Sequence, residues 1–320
     1  MSISLAKRPC GKTPYSITPL CVGAAPLGSM PESFAYEVSE PQAFATLRAF
    51  FQSSINFLDT AASYGDGESE RRIGLVLKEL GGVPPGFVIA SKADRDMKSG
   101  DFSGDQIKRS VERSLRLLGV DSLPIMHLHD PEWTTFENVM SKGGPLEVLQ
   151  KFRDEKVIGA IGMAGGPVDM EIRYVKTGAF DALITHNRYC LINRSADELL
   201  TLAHGMGMAV FNAAPYGSGV LAKGPTAYPR FAYQEASSVV MERVIKLDAL
   251  CKAANVPLAA AALQFSLRDP RFTSTIVGVS KPERIQQTLD LAAVKIPDDL
   301  WGRLDAVGFD VDDPEATRWK

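Results

Sequence analysis

The sequence predicts an α/β protein folded as a (β/α)8 TIM barrel with a short N-terminal β-hairpin. Three observations point there. Short apolar runs of about five residues alternate with amphipathic stretches along the whole chain. Eight such alternations fit within 320 residues, a length that suits one large barrel, since such barrels run past roughly 250 residues as a single unit. No linker, repeat, low-complexity tract or shift in composition divides them. A doubly wound open sheet also alternates strand and helix, but eight units without a break suit closure better. Residues 1–320 are therefore expected to form a single domain.

The elements follow in order. Gly11 and Pro14, then the alternating Tyr15 and Ile17, read as a small hairpin ahead of the barrel. The strand-like runs are Leu20–Ala24, Ile55–Asp59, Phe87–Ser91, Ile125–His129, Ile158–Met163, Ala182–Thr185, Ala209–Ala213 and Thr275–Val279. Each is nearly continuously apolar, as a strand covered on both faces of a parallel sheet should be. Between them, Ile73, Val76, Leu77 and Leu80 recur at helical spacing, as do Ile107, Val111, Leu115 and Leu118. Ser195 with Glu198 reads as a capping box ahead of Leu199 and Leu202, with Gly205 as the stop. Pro282 opens a last helix that carries Ile285, Leu289 and Ala292.

Composition removes several function classes. The chain is 45% hydrophobic and 23% charged, with a mean hydropathy of −0.03, which describes a globular chain with ample core. Its 35 basic and 38 acidic residues give a formal charge of −3, without the basic footprint of a nucleic-acid binder. The longest apolar stretch, around Pro257–Leu263, falls far short of the ~20 residues that cross a bilayer. Met1 to Cys10 lack the apolar segment of a secretory leader. Cys10, Cys21, Cys190 and Cys251 lie far apart and form no Cys-x-x-Cys. Reduced thiols in a cytoplasm are expected, with no metal site.

Active sites of such barrels sit at the C-terminal strand ends, so charged groups there matter most. Strand two ends in Asp59, strand three in Lys92, and strand four in His127-Leu-His129-Asp130. Asp59 and Lys92 on neighbouring strands can pair, as buried charges must. That pair could equally do no more than plug the barrel mouth. His127 and His129 are two apart and so face the same way. His129, nearer the strand end, is the better catalytic candidate, and His127 reads as a packing residue one layer below. After Asp59, the loop Thr60-Ala-Ala-Ser-Tyr64-Gly-Asp-Gly67 brings Tyr64 back toward the mouth. An ammonium beside a phenol favours the phenolate, so Lys92 is expected to lower the Tyr64 pKa toward neutrality. Gly65-Asp-Gly67 with Glu70 is a near miss to a dinucleotide fingerprint and carries almost no weight.

On these residues the chain resembles the aldo-keto reductase family. Asp59 with Tyr64-Gly and Ser69-Glu70, Ser91-Lys92, and Leu128-His129-Asp-Pro131 match its signatures in order. Gly159-Ala-Ile-Gly162, His186-Asn187-Arg188-Tyr189 and Ala214-Pro215-Tyr-Gly217-Ser218-Gly219-Val-Leu221 continue the match. It ends with Ile276-Val-Gly278-Val-Ser280-Lys-Pro-Glu-Arg284-Ile-Gln-Gln287-Thr288. The resemblance implies Tyr64 as the proton-transfer residue, Lys92 as its tuner, Asp59 as the charge that fixes Lys92, and His129 as the residue orienting the substrate oxygen. It implies a nicotinamide dinucleotide bound at the mouth without a Rossmann domain. Asn187 would meet the nicotinamide carboxamide. Gly217, Ser218, Gly219 and Leu221 would border the pyrophosphate, and Gly278, Ser280, Arg284, Gln287 and Thr288 the adenosine, at a helix N-terminus that favours phosphate.

Two departures stand out. Where many members carry Gly-Val-Ser-Asn after strand five, this chain has Gly162-Met-Ala-Gly165, which leaves the carboxamide to Asn187 or to backbone. Ser280 stands where members preferring the 2′-phosphorylated cofactor place a basic residue, although Lys281 and Arg284 lie nearby. NAD is therefore slightly favoured over NADP. The His-Asp-Pro-Glu, Asn-Arg-Tyr and Ser-Lys-Pro-Glu-Arg runs look most like the branch oxidising free aldoses such as L-fucose, L-galactose or D-arabinose, with pyridoxal dehydrogenase close by. In that branch Trp133, Arg188 and His127 are candidate sugar contacts. The alternatives are an NADPH-dependent reductase of small aldehydes or ketones, a pyridoxal 4-dehydrogenase, and a non-catalytic member, against which the complete set Asp59, Tyr64, Lys92 and His129 speaks. The expected partner is a small sugar or aldehyde, with neither nucleic acid nor membrane.

Overall fold

A computed structural model describes residues 5–34 and 36–316, so the first four residues of the N-terminal reading lie outside the described residues. Eight parallel strands close into a barrel. They are β1 (Leu20–Gly23), β2 (Phe57–Asp59), β3 (Val88–Ala93), β4 (Leu123–His129), β5 (Ile158–Ala164), β6 (Ala182–His186), β7 (Ala209–Ala213) and β8 (Ser274–Gly278). Every strand expected from an apolar run is present, shifted by at most a few residues at its ends. Pairing of β8 with β1, Thr275 opposite Leu20, completes the ring.

Helices follow the strands on the outside: α1 (Glu40–Phe51), α2 (Glu68–Glu79), α3 (Gly104–Leu118), α4 (Pro145–Asp154), α5 (Val168–Lys176), α6 (Asp197–Gly205), α7 (Ser238–Ala253), α8 (Leu258–Leu267), α9 (Glu283–Ala293) and α10 (Asp298–Asp305). The apolar stripe of α3 (Ile107, Val111, Leu118) is fully buried, and Ser103 caps that helix by accepting from the Gln106 amide. Two local expectations need correction. Leu80 falls at the C-cap of α2 and is 46% exposed, so it leaves the stripe. Ser195 does not cap α6: its hydroxyl donates to Asn193 Oδ1 at 2.8 Å, and Ala196 occupies the cap with no side-chain bond. A nearer side-chain acceptor has taken the hydroxyl from the helix end.

The hairpin is present as Arg8–Pro9 against Ser16–Ile17, antiparallel. It carries Cys10 and Ile17 into a cluster with Cys21, Phe57, Val88, Ala90, Ile125, Ala160, Ile184, Phe211 and Ile276, filling the barrel interior. A second, larger cluster, including Leu58, Ile89, Met126 and Leu128, packs strands against helices. The two clusters alternate along each strand with the period of two that a strand imposes. On β3 the inward residues are Val88 and Ala90, so Lys92 and Asp94 continue on the inner side. On β4 Ile125 is followed inward by His127 and His129, and on β2 Phe57 by Asp59. The apolar filling therefore gives way to charge at one end only. Among the described residues, no single helix is long and apolar enough to cross a membrane.

Candidate active site

Lys92 is the centre of the charged layer. Its side chain is 2% exposed and its Nζ donates three hydrogen bonds: to Asp59 Oδ2 at 2.7 Å, to the Thr60 carbonyl at 2.8 Å and to the Tyr64 hydroxyl at 3.0 Å. An ammonium has three donors and no acceptor, so all three are spent. The Tyr64 oxygen must accept from Lys92, and the phenol's own proton is left for another partner. The loop that delivers Tyr64 turns through Gly65, whose φ of +62° places it in the left-handed region. There a Cβ would fall 2.1 Å from the Gly28 carbonyl oxygen, so any side chain at residue 65 would push the tyrosine loop off the strand ends.

Burial is the largest influence on Tyr64 and pushes its phenol above the ordinary value; Lys92 pulls it down and Asp59 pushes it up again. This corrects the expectation of a phenol tuned toward neutrality. The Lys92 charge lies against Asp59, so its net pull on Tyr64 is small beside the cost of ionising a buried phenol. Burial also opposes the charge on Lys92, but Asp59 and Tyr64 outweigh it and hold the ammonium above its usual range. Asp59 itself is raised by burial, against the pull of Lys92.

His129 stands beside this group, its ring edge-on to Tyr64 with centroids 5.9 Å apart. Its Nδ1 lies 2.7 Å from Asp94 Oδ1, and Nε2 lies 3.5 Å from Asp130 Oδ1. Burial opposes a charge on the imidazole, but Asp130 and Asp94 more than offset that, and its pKa is pushed up to about 9. His127, one layer down, is fully buried against Gly162, where a Cβ would fall 2.2 Å from its ring. Burial and the Lys92 charge lower its pKa to about 3. It is a neutral packing residue, as its lower position suggested, and is not presented to the mouth as a sugar contact would be.

Arg188 also departs from the expectation of a sugar contact. It is fully buried, and the two terminal nitrogens of its guanidinium go to Glu315 (2.9 Å), Asp313 (2.8 Å) and the His186 carbonyl. These bonds tie the C-terminal segment to the end of β6, helped by His186 Nε2 at 3.0 Å from Glu315. Trp133, in the loop leaving His129, is 50% exposed, with the Arg95 guanidinium 4.0 Å from its ring centroid.

The residues assigned to a dinucleotide divide in two. Asn187, fully buried at the end of β6 with φ +58°, accepts from the Ser218 hydroxyl at 3.0 Å. Its Nδ2 finds no acceptor among the described residues. An unmet buried donor costs about 1–3 kcal/mol, and a carboxamide oxygen would satisfy it. The residues present therefore fit a nicotinamide. Gly217, Ser218 and Gly219 all have positive φ and form a tight turn after β7. Leu221, in contrast, is a core side chain, fully buried, with its amide already bonded to the Tyr216 carbonyl, so it presents nothing to a ligand. Gly278, Arg284 and Gln287 are exposed around the start of α9, where Ser280 also lies. Thr288 turns inward and donates to the Arg284 carbonyl at 2.8 Å.

Three acidic residues of this end of the barrel escaped sequence reasoning. Glu171 is fully buried and Glu132 half-buried with both carboxyl oxygens out of solvent, near Arg188. Burial pushes Glu132 up to about 8 and Glu171 well above its usual range. Glu132 is admitted because Gly166 leaves room: a Cβ there would fall 3.0 Å from Glu132 Oε1. No sequence pattern announces these two. Asp94 did leave a signal, since it stands two residues beyond Lys92, one past the end of β3, where the strand's alternation still sets its side.

Comparison with known proteins agrees with the geometry. The profile of the aldo/keto reductase family matches residues 19–308. The chain is 30% identical to D-threo-aldose 1-dehydrogenase of Pseudomonas sp., over 90% of this chain and 93% of that one. It is 30% identical to pyridoxal 4-dehydrogenase of Microbacterium luteolum (95% and 97% covered) and to L-galactose dehydrogenase of Arabidopsis thaliana (88% and 86%). Among solved structures, an aldo-keto reductase from Bacillus halodurans in its holo form superposes with a TM-score of 0.78 at 19% identity, covering 98% of this chain and 99% of that one. That likeness bears on the fold alone. Eight closed strands, a mouth that gathers Asp59, Tyr64, Lys92 and His129, and a family match over most of the length lead to one assignment: the chain belongs to the aldo/keto reductase family.

Proposed function

We propose that this enzyme oxidises a free aldose at C1, of the L-fucose, L-galactose or D-arabinose type, to the lactone, with Tyr64 as its acid/base. The reading rests on one observation above the rest: Lys92 gives its three donors to Asp59, Thr60 and Tyr64, so the Tyr64 oxygen is held at a fixed place beside an ammonium that favours its ionised form. A bound nicotinamide dinucleotide supplies the hydride acceptor, or the donor in reverse. Asn187 would hold its carboxamide, the turn Gly217–Gly219 would border its pyrophosphate, and the start of α9 would hold its adenosine. Tyr64, in its ionised form, takes the proton of the anomeric hydroxyl as the C1–H bond breaks and its hydrogen leaves as hydride. His129 donates a hydrogen bond to the same oxygen. Trp133 offers an apolar face to the sugar ring, and Arg188 and His127 play no part in it. A cytoplasmic setting goes with this reading, supported by four buried, unpaired cysteines.

The names of two of the three relatives support an aldose, and rates of NAD+ reduction across L-fucose, L-galactose, D-arabinose, pyridoxal and simple alcohols test it. Turnover highest with an aldose is expected; turnover confined to pyridoxal or simple alcohols refutes it. A second reading, NADPH-dependent reduction of small aldehydes or ketones, is favoured by one feature. Burial keeps the Tyr64 phenol protonated, the form that delivers a proton. Reduction of an aromatic aldehyde with NADPH outpacing oxidation of L-fucose would select it.

Cofactor choice turns on residue 280. Ser280 brings no positive charge to a 2′-phosphate, so the enzyme should favour NAD+ or accept both. Ser280→Arg should raise the NADP+/NAD+ ratio of kcat/KM by about 10- to 150-fold, because a charge-assisted contact is worth about 1.5–3 kcal/mol and NAD+ has no phosphate there. Strict NADP+ dependence in the parent, abolished by Arg284→Ala, would move the specificity to Arg284.

A further inference from the structure

We infer that Asp94 is a positioning residue that holds His129 as a doubly protonated imidazolium, fixing its one remaining N–H for the substrate oxygen. The inference deepens the proton-transfer reading above and rests on it.

The geometry begins with the period of β3. Val88, Ala90, Lys92 and Asp94 stand on one side, so the two charges leave the strand together, one layer apart. Lys92 serves Tyr64. Asp94, 8% exposed at its side chain, serves His129, with Oδ1 at 2.7 Å from Nδ1. It is itself held. Its Oδ2 accepts from the Ser63 amide at 2.8 Å, its own amide donates to the Ser110 hydroxyl at 2.9 Å, and its carbonyl accepts from Gln106 Nε2 at 3.2 Å. The same tyrosine loop that carries Tyr64 thus orients the carboxylate that orients His129. Among the described residues, Ser63 Oγ, at 3.5 Å, is the other side-chain partner within hydrogen-bond reach of Nδ1, so the much closer Asp94 decides the state of that nitrogen.

Two consequences follow. A carboxylate accepting at Nδ1 requires a proton there, which leaves Nε2 as the other site, with Asp130 Oδ1 too distant at 3.5 Å for a short bond. With both nitrogens protonated, the imidazolium gives a charge-assisted bond to an oxygen that gains negative charge in either direction of the reaction. The groups facing the ring are Lys92 from β3 and Asp94 just past its end, Ser63 and Tyr64 from the loop after β2, His127 from β4, and Asp130 and Glu132 from the loop after β4. Ala164 of β5, paired with His129, brings no charge. Lys92 opposes the imidazolium but is matched by Asp59. The acidic side therefore outweighs it.

The test uses the whole protein with 15N-labelled histidine, the His129 resonances assigned by their loss in His129→Gln. In the parent, His129 should titrate near 9. In Asp94→Asn, which keeps the shape and removes the charge, the titration should fall by about 1–3 pH units. Correspondingly, kcat/KM should drop about tenfold at pH 8 and converge with the parent near pH 5.5, where both imidazoles are protonated. A merely structural contact would lower activity equally at both pH values. A parent titration near the ordinary ~6.5 overturns the inference without needing the variant, as does an Asp94→Asn profile superimposable on the parent's. The two readings fail separately. Full turnover in Tyr64→Phe with a titration near 9 sinks the proton transfer and leaves the Asp94–His129 pairing standing.

Discussion

Tyr64→Phe is expected to lower kcat by at least ~10², and as much as ~10⁴, while dinucleotide affinity stays nearly unchanged. The substitution removes one oxygen from a ring otherwise held by the loop through Gly65, so the strand ends keep their shape. What is lost is the atom 3.0 Å from Lys92 Nζ and the proton it carries. General acid–base catalysis of that size corresponds to about 3–5 kcal/mol of the barrier. Steady-state kinetics paired with fluorescence titration of the cofactor reads both quantities. Equal kcat in parent and variant would remove Tyr64 from the acid/base role; a large loss of cofactor affinity would show that its ring, not its proton, is what matters.

Lys92→Met has the second large effect, and it acts on stability as well as rate. Asp59 is left with a 5% exposed carboxylate and no cation, and breaking a buried pair in this way costs about 3–5 kcal/mol. Turnover should fall by a factor of roughly 10² or more, because Tyr64 loses both its donor and the one charge that draws its pKa down. The sign on pH follows. Oxidation needs the phenolate, the loss of Lys92 raises the phenol further, and the pH required for oxidation moves upward. Denaturant midpoints and pH–rate profiles measure the two parts. Adding Asp59→Asn separates them: the double variant should regain much of the stability, since no charge is stranded, and none of the rate. An unchanged pH profile in Lys92→Met would refute the tuning role.

That tuning is weaker than the sequence suggested, and the reason is instructive. Lys92 beside Tyr64 reads from the sequence as an ammonium pulling a phenol toward neutrality. The fold also sets Asp59 against the same ammonium and buries all three. The pair is then close to neutral as seen from the phenol, and desolvation prevails. Adjacency was legible; the balance of field against burial was not.

The same division runs through the rest of the molecule. Nearly unbroken apolar runs mark strands covered on both faces, and all eight were readable because burial on two sides leaves no room for polar residues. A period of two is a local rule, so the inward direction of Asp59, Lys92 and His129 follows from their distance along each strand from an inward apolar residue. Local patterns misled where a nearer choice competed: Ser195 went to Asn193, two residues back, instead of the helix end, and Leu80 ran past the last turn of α2.

What the sequence by itself determined is the barrel, the hairpin ahead of it, and the gathering of Asp59, Tyr64, Lys92 and His129 at one end, because strand period and apolar patterning act over a few residues. What only the tertiary structure decided is which charges neutralise which. Arg188, a plausible hand for a sugar, is consumed by Asp313 and Glu315, more than a hundred residues away along the chain, and Leu221 is consumed by the core. Asp94 takes His129 from a neighbouring strand. Buried charge has to find an opposite charge within a few ångströms wherever the chain happens to bring one, and that meeting is set by the closure of the barrel and not by any spacing along it.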